Sequence, residues 1–417
     1  MATIYVKASD AGASDSNAGT DPSAPKATIQ SAIEAADDSA PAVVIILDSE
    51  TYGEQLNVGT DGGFTPQNIT IKGDTGQLPV LDGQGNQAGG IRGTHGRGTV
   101  GRTCTGQNMK FTRHAGATTS GGVFQGNGSQ TNLGLAFVAI DCEFVANTTA
   151  IFMRTGGNSD NHNSANRCKF TENTKPLVDQ HSGTGPGLGD MFIDFVNCVF
   201  GITANTEGID LGTGTSNGTV KNCSFVTNTD QSGHHIILAA VIENTVVQNL
   251  ASTSNHLVGI QANSSRSNNA TFGNFATAQT GGTDGGNNLE GQDPLFTDTT
   301  LSNPDLSIPS NSPLVDAGKT ISAITVDFNG VTRPQNANYD IGAFELELPA
   351  FYPANDAGEK FARKFGSDSF SIHSTANMLF TRKFALTGSG NDQGPFFLSN
   401  PSPVNLRERT DPYKNET

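Results

Sequence analysis

Six residues of this chain carry side chains able to act together on a substrate: Arg154, Asp179, His181, Asp210, His234 and His235. Two carboxylates can serve as acid and base in cleaving a glycosidic bond, and a basic residue can hold or polarise an acidic sugar in an elimination. The six lie in "TAIFMR", "KPLVDQH", "EGIDLG" and "DQSGHHIIL", and each of these stretches follows one copy of a short recurring motif. Their spacing acquires meaning only if that motif places equivalent residues on or beside one strand of successive repeats. The competing role is plain solvation, since polar residues occupy outward positions by default; for Asp179 it is a bond to a turn at the edge of the core.

The motif itself reads "DCEFVANTT" from 141, "RCKFTENTK" from 167, "NCVFGITANTE" from 197 and "NCSFVTNTD" from 222. Its unit is Cys-x-Phe followed by Asn-Thr, and successive cysteines lie 26, 30 and 25 residues apart. "QNMKFTR" from 107 and "ENTVVQN" from 243 read as diverged copies. A repeat of this length implies stacked supersecondary units. Alternating apolar positions broken by Gly and Asn exclude helical units. Three short strands and three turns account for each repeat, which predicts an all-β chain built as a single-stranded right-handed parallel β-helix.

In such a solenoid, equivalent residues stack about 4.8 Å apart. Cys142, Cys168, Cys198 and Cys223 are therefore expected as an inward ladder beside a second ladder of Phe144, Phe170, Phe200 and Phe225. Asn147, Asn173, Asn205 and Asn228 are expected to mark a turn, adopting the left-handed conformation and bonding through their amides to the next coil. The cysteines read as packing rather than as a metal or redox centre, because no CxxC occurs. With Cys104 they number five, an odd count that fits free thiols.

Composition narrows the classes of function. The formal charge of −16 opposes nucleic-acid binding. The longest apolar runs, Val43 to Leu47 and Ile236 to Ile242, are too short to span a bilayer. The opening "MATIYVKASDAG" has neither the basic nor the apolar region of a secretory signal, so synthesis in the cytoplasm is expected. There is no Trp, and all five Tyr miss the central coils, which removes the usual sugar-stacking platforms there. "SDNHN" from 159 and "GGTDGGNN" from 281 lack the spacing of a Ca²⁺ loop, so neither metal nor cofactor is expected.

Toward the ends the pattern changes. "PKATIQSAIEAA" puts Ile29, Ala32, Ile33 and Ala36 on one helical face, a plug for the open end of a solenoid. The stretch "YVKASDAGASDSNAGTDPSAPKATIQSAIEAA" resembles the start of pectate-lyase-like β-helix proteins. "GNNLEGQDPLF", "DLSIPSNSPLVDAG", "DFNGVTRP" and "YDIGAFE" resemble the region called choice-of-anchor Q. The resemblance implies the fold and its closing coils, in a group of diverse function whose enzymes cleave polysaccharides. The expected divisions are a cap with first strands over 1–48, coils over 49–286, closing coils over 287–348 and a tail over 349–417.

That tail is a different kind of surface: residues 1–350 carry a net −17, the last 67 residues +1 and 8 of the 24 Phe. It repeats "FARKF" and "FTRKF", so Phe361, Arg363, Lys364, Phe365, Phe380, Arg382, Lys383 and Phe384 read as docking anchors, apolar with adjacent cations. The expectation is a structural, externally displayed component of a bacteriophage virion, a head decoration, fibre or spike protein attached through its tail. Its partners would be capsid or tail proteins and copies of itself, as a trimer for instance. The alternatives are a tailspike depolymerase acting on a surface glycan and a bacterial surface adhesin.

Overall fold

Short alternating runs such as "AFVAI" and "CEF" cannot bury both ends of a strand alone, and they solve this by stacking on their own repeats. The computed structural model describes residues 2–36, 41–58, 68–85, 90–94, 103–115, 123–127, 136–154, 161–179, 191–203, 208–210, 218–229, 235–252 and 258–347. Within them the chain winds as a right-handed parallel β-helix with three faces. The coil that begins at Ala136 illustrates the order: Ala136–Ile140 on the first face, Glu143–Val145 on the second, Thr149–Arg154 on the third. Each pairs in parallel with its counterparts in the coils before and after. The second face is a ten-stranded sheet. The first and third join into one of 18 strands, because His235–Glu243 and Val258–Ser267 run unbroken across the corner between them.

On the inner side of the second face, like stacks on like. Phe144, Phe170, Phe200 and Phe225 lie with ring centroids 4.7, 4.7 and 4.2 Å apart and planes within 5° of parallel. Phe111 extends the column at 5.1 Å. Each fully buried ring removes enough apolar area from water to contribute about 2–3 kcal/mol, and each stacked contact adds roughly 1 kcal/mol more.

Helix Ile29–Ala35 covers the N-terminal end, burying Ile29, Ala32 and Ile33. Thr28 caps it by accepting the Ser31 N–H, and the Glu54 carboxylate of the next turn of chain accepts the Ile29 and Gln30 N–H groups, both at 2.8 Å. Burial holds the Glu54 carboxyl above its ordinary pKa.

The other end is closed without a helix. In the inward rows Ile242 is followed by Arg266 and Ile260 by Gln279, so the apolar column ends in polar side chains. Arg266 pairs with Asp284 at 2.9 Å and donates to the Gly281 carbonyl. A last coil with a polar outer surface lets a solenoid stop.

Residues 287–348, expected as closing coils, supply one last strand, Leu289–Glu290. The rest of the described segment, 292–347, is a strap laid over the outer side of the second face, with only isolated antiparallel bridges at Asp298–Asp305 and Val326–Thr332. The reason lies in one outward row. It runs Val80, Lys110, Glu143 and Lys169, then Val199, Ser224, Val246, Ala270 and Leu289. Its second half is too apolar to face water, and Leu306, Ile308, Leu314, Ile341, Ala343 and Phe344 of the strap pack onto it and its neighbours. Among the described residues no helix is long and apolar enough to cross a membrane. The tail anchors Phe361, Arg363, Lys364, Phe365, Phe380, Arg382, Lys383 and Phe384 lie outside the described residues.

Candidate functional site

The thiol ladder is real and serves the turn. Cys142, Cys168, Cys198 and Cys223 are buried, and each thiol donates to the carbonyl two residues earlier, at 3.2–3.4 Å. Cys142, Cys198 and Cys223 also reach a carbonyl of the preceding coil. The residue before each cysteine, Asp141, Arg167, Asn197 or Asn222, has φ of 50° to 55°, and Asn108, Asn244 and Asn268 occupy the same left-handed corner. Further along, Thr245 repeats the pattern, donating from Oγ1 to the Glu243 and Val220 carbonyls, and Asn269 donates from Nδ2 to Ile242. The position thus favours a side chain able to donate a hydrogen bond, and in the copy that follows Asn108 the buried Met109 fills it by volume alone. Burial, then the neighbouring Cys168 thiol, push the pKa of Cys142 well above the ordinary value, which disfavours the thiolate. Cys104 lies apart from this ladder, inward on the first face, and burial pushes its thiol up to about 12.

The asparagine ladder is shorter than the motif implied. Asn147 donates to Asn173 Oδ1 at 3.0 Å and to the Phe111 carbonyl at 3.0 Å; Asn173 donates to the Phe144 carbonyl at 2.6 Å. The left-handed residue of this corner is the one before it: Arg113, Ala146 and Glu172 have φ of 54° to 56°. Asn147 and Asn173 therefore work through their amides, bridging coils, and leave the backbone strain to their neighbours. Asn228 is exposed, and Asn205 lies outside the described residues.

Sequence reasoning missed His114, which follows the left-handed Arg113 and occupies the first rung. Its N–H donates to Asn147 Oδ1 at 3.1 Å, and its ring nitrogen Nε2 faces the Leu81 carbonyl at 3.1 Å. The ring fills space left by Gly83 and Gly90; a Cβ on Gly83 would come within 2.6 Å of His114 Nδ1. Burial lowers the imidazole pKa to about 4, so the ring is neutral at pH 7 and its Nε2–H donates to Leu81. The only advance signal was a histidine directly after the diverged copy "QNMKFTR".

The Arg, Asp and His row falls on successive strands of the third face. Arg154 ends Thr149–Arg154, Asp179 ends Lys175–Asp179, Asp210 ends Ile209–Asp210, and His235 opens His235–Glu243. Asp179 pairs with Met153, and Asp210 pairs with Val178. Arg154, Asp179 and Asp210 thus step back by one backbone position per coil, forming a diagonal rather than a straight ladder. His235 stands three positions before Leu238, the partner of Asp210. His181 and His234 lie outside the described residues.

Among the described residues no group of three or more His, Cys, Asp or Glu is placed to hold a metal ion. Asp284 of "GGTDGGNN" is engaged by Arg266, by the Gly286 N–H and by Asn288.

The densest cluster of buried charge lies in the strap. Arg333 and Glu345 have side chains 0% and 1% exposed and pair at 3.0 Å. Arg333 also donates to the Asp340 and Gly342 carbonyls and sits 5.8 Å from the Tyr339 ring centre. Glu345 accepts the Gln335 and Asp340 N–H groups, Asp340 accepts those of Asp316 and Leu346, and Asp327 accepts those of Asn329, Val331 and Glu345. Burial raises the Asp340 and Glu345 carboxyls and opposes the charge on Arg333. These are the residues of "DFNGVTRP" and "YDIGAFE", and their oxygens are occupied by backbone donors that hold the strap's loops together.

The chain matches no known family model and no curated protein sequence. Among solved structures it is similar to the crystal structure of pectate lyase Pel9A, with 15% identity over 82% of this chain and 96% of that one and a TM-score of 0.42. It is likewise similar to a rhamnogalacturonan lyase, with 12% identity over 80% of this chain and 99% of that one and a TM-score of 0.41.

Proposed function

We propose that this protein is a rigid display scaffold rather than a catalyst. The observation that carries this reading is the way its chemically capable groups are used: the ladder thiols, Nε2 of His114 and the Arg333–Glu345 pair are committed to bonds that hold one coil, or one strap loop, to the next. Like-on-like stacking along the Phe and Cys columns, with a helix at one end of the described coils and a polar coil at the other, makes a stiff solenoid that ends cleanly.

The finer form of the proposal is a virion surface component of a bacteriophage, displayed outside after lysis and joined to capsid or tail proteins, or to its own copies, by the duplicated "FARKF" and "FTRKF". The likeness of 287–345 to choice-of-anchor Q regions belongs to the same proposal, as a surface-display feature. Light scattering and calorimetry on the full chain and on a truncation after Leu348 test it. The expected result is a full-length oligomer and a truncated monomer with a nearly unchanged melt. A monomeric full chain whose truncation unfolds would refute docking through the tail.

A second reading has one observation in its favour. Arg154, Asp179, Asp210 and His235 all fall on adjacent strands of one face.

A further inference from the structure

Three amides of the left-handed corner fasten the strap to the solenoid. Asn268 donates to the Ala317 carbonyl at 2.9 Å, Asn244 donates to Lys319 at 2.7 Å and accepts its N–H at 2.8 Å, and Asn197 donates to Val326 at 2.9 Å. The strap therefore climbs the corner coil by coil. From Asn268 to Asn244 it advances two residues for one coil, whereas from Asn244 to Asn197 it advances seven for two. The surplus is taken up in a turn in which the Ile324 N–H bonds to Ile321 at 2.8 Å, tied from behind by the Tyr339 hydroxyl.

Asn222 is the rung between Asn244 and Asn197, which hold Lys319 and Val326 on either side of that turn. It is 0% exposed, yet both its side-chain atoms, Nδ2 and Oδ1, are without a protein partner, and so is Oδ1 of Asn197 one coil away. An isolated buried amide is costly, and native structures rarely leave one unpaired.

We propose that this corner is a binding site for internal water, which links Asn197 and Asn222 to each other and to the overlying turn. The chemistry selects the ligand. One donor and two acceptors need satisfying: a cation would serve only the two oxygens and face the Nδ2–H group, and an anion would serve only the donor. Water both donates and accepts, and can meet all three. It also accounts for a strap that leaves the amide ladder for one rung without weakening the rungs on either side.

A high-resolution crystal structure of the full chain tests this. The expected result is ordered density about 2.8–3.2 Å from Asn222 Nδ2 and from at least one of the two Oδ1 atoms. Direct bonding of the Asn222 amide to a strap carbonyl or N–H, with no density between, would overturn the proposal. So would density with the short oxygen contacts of a metal ion, about 2.3–2.6 Å.

Discussion

At the scale of single residues, the ladders act by hydrogen bonding as much as by volume. Thr245 makes the same two carbonyl contacts as Cys223 one coil earlier. Cys223→Thr is therefore expected to stay within about 1 kcal/mol of the parent, and Cys223→Ala to lose about 1–2 kcal/mol, as read by denaturant melts. His114 sets a pH dependence. Its folded pKa, about 4, lies below the ordinary 6.5, so between these values the unfolded chain binds more protons. Stability from this group is fully present above pH 6.5 and is lost as pH falls toward 4, by up to about 3 kcal/mol. His114→Asn should flatten the melting curve in that window while lowering stability at pH 7, through the space left beside Gly83 and Gly90. A variant with undiminished acid sensitivity would show that other groups control it.

Among the elements, the strap depends on close approach. A Cβ on Gly201 would stand 2.1 Å from the Leu301 carbonyl oxygen, so Gly201→Val is expected to lift the strap there at a cost of about 2–3 kcal/mol. Limited proteolysis should then cut within 292–347 while the β-sheet circular dichroism persists; protection equal to the parent would contradict this account of the strap. The solenoid was legible because Cys-x-Phe recurs once per coil, and stacking requires the same side chain at the same step. The strap was not, because Val199, Val226 and Val246 alternate like any strand residues, and nothing local distinguishes an outward apolar side chain that is covered from an inward one. The corner geometry was half legible. Asn-Thr marked a turn, but the left-handed residue sits before the Asn, where Arg113, Ala146 and Glu172 give no compositional hint. The diagonal of Arg154, Asp179 and Asp210 was hidden for a related reason: the three stand at different distances from their turns, and only strand pairing fixes such offsets.

For the molecule as a whole, the proposed scaffold role rests on the internal use of the solenoid's reactive groups, and the rival proposal is a depolymerase using the third-face diagonal. The most direct test is to incubate the purified full chain with acidic and neutral polysaccharides, including bacterial capsular and lipopolysaccharide glycans, and to follow new reducing ends and unsaturated uronides. The scaffold account predicts that neither is released. Release that disappears in Asp210→Asn while the melting temperature stays unchanged would contradict it and make the protein an enzyme.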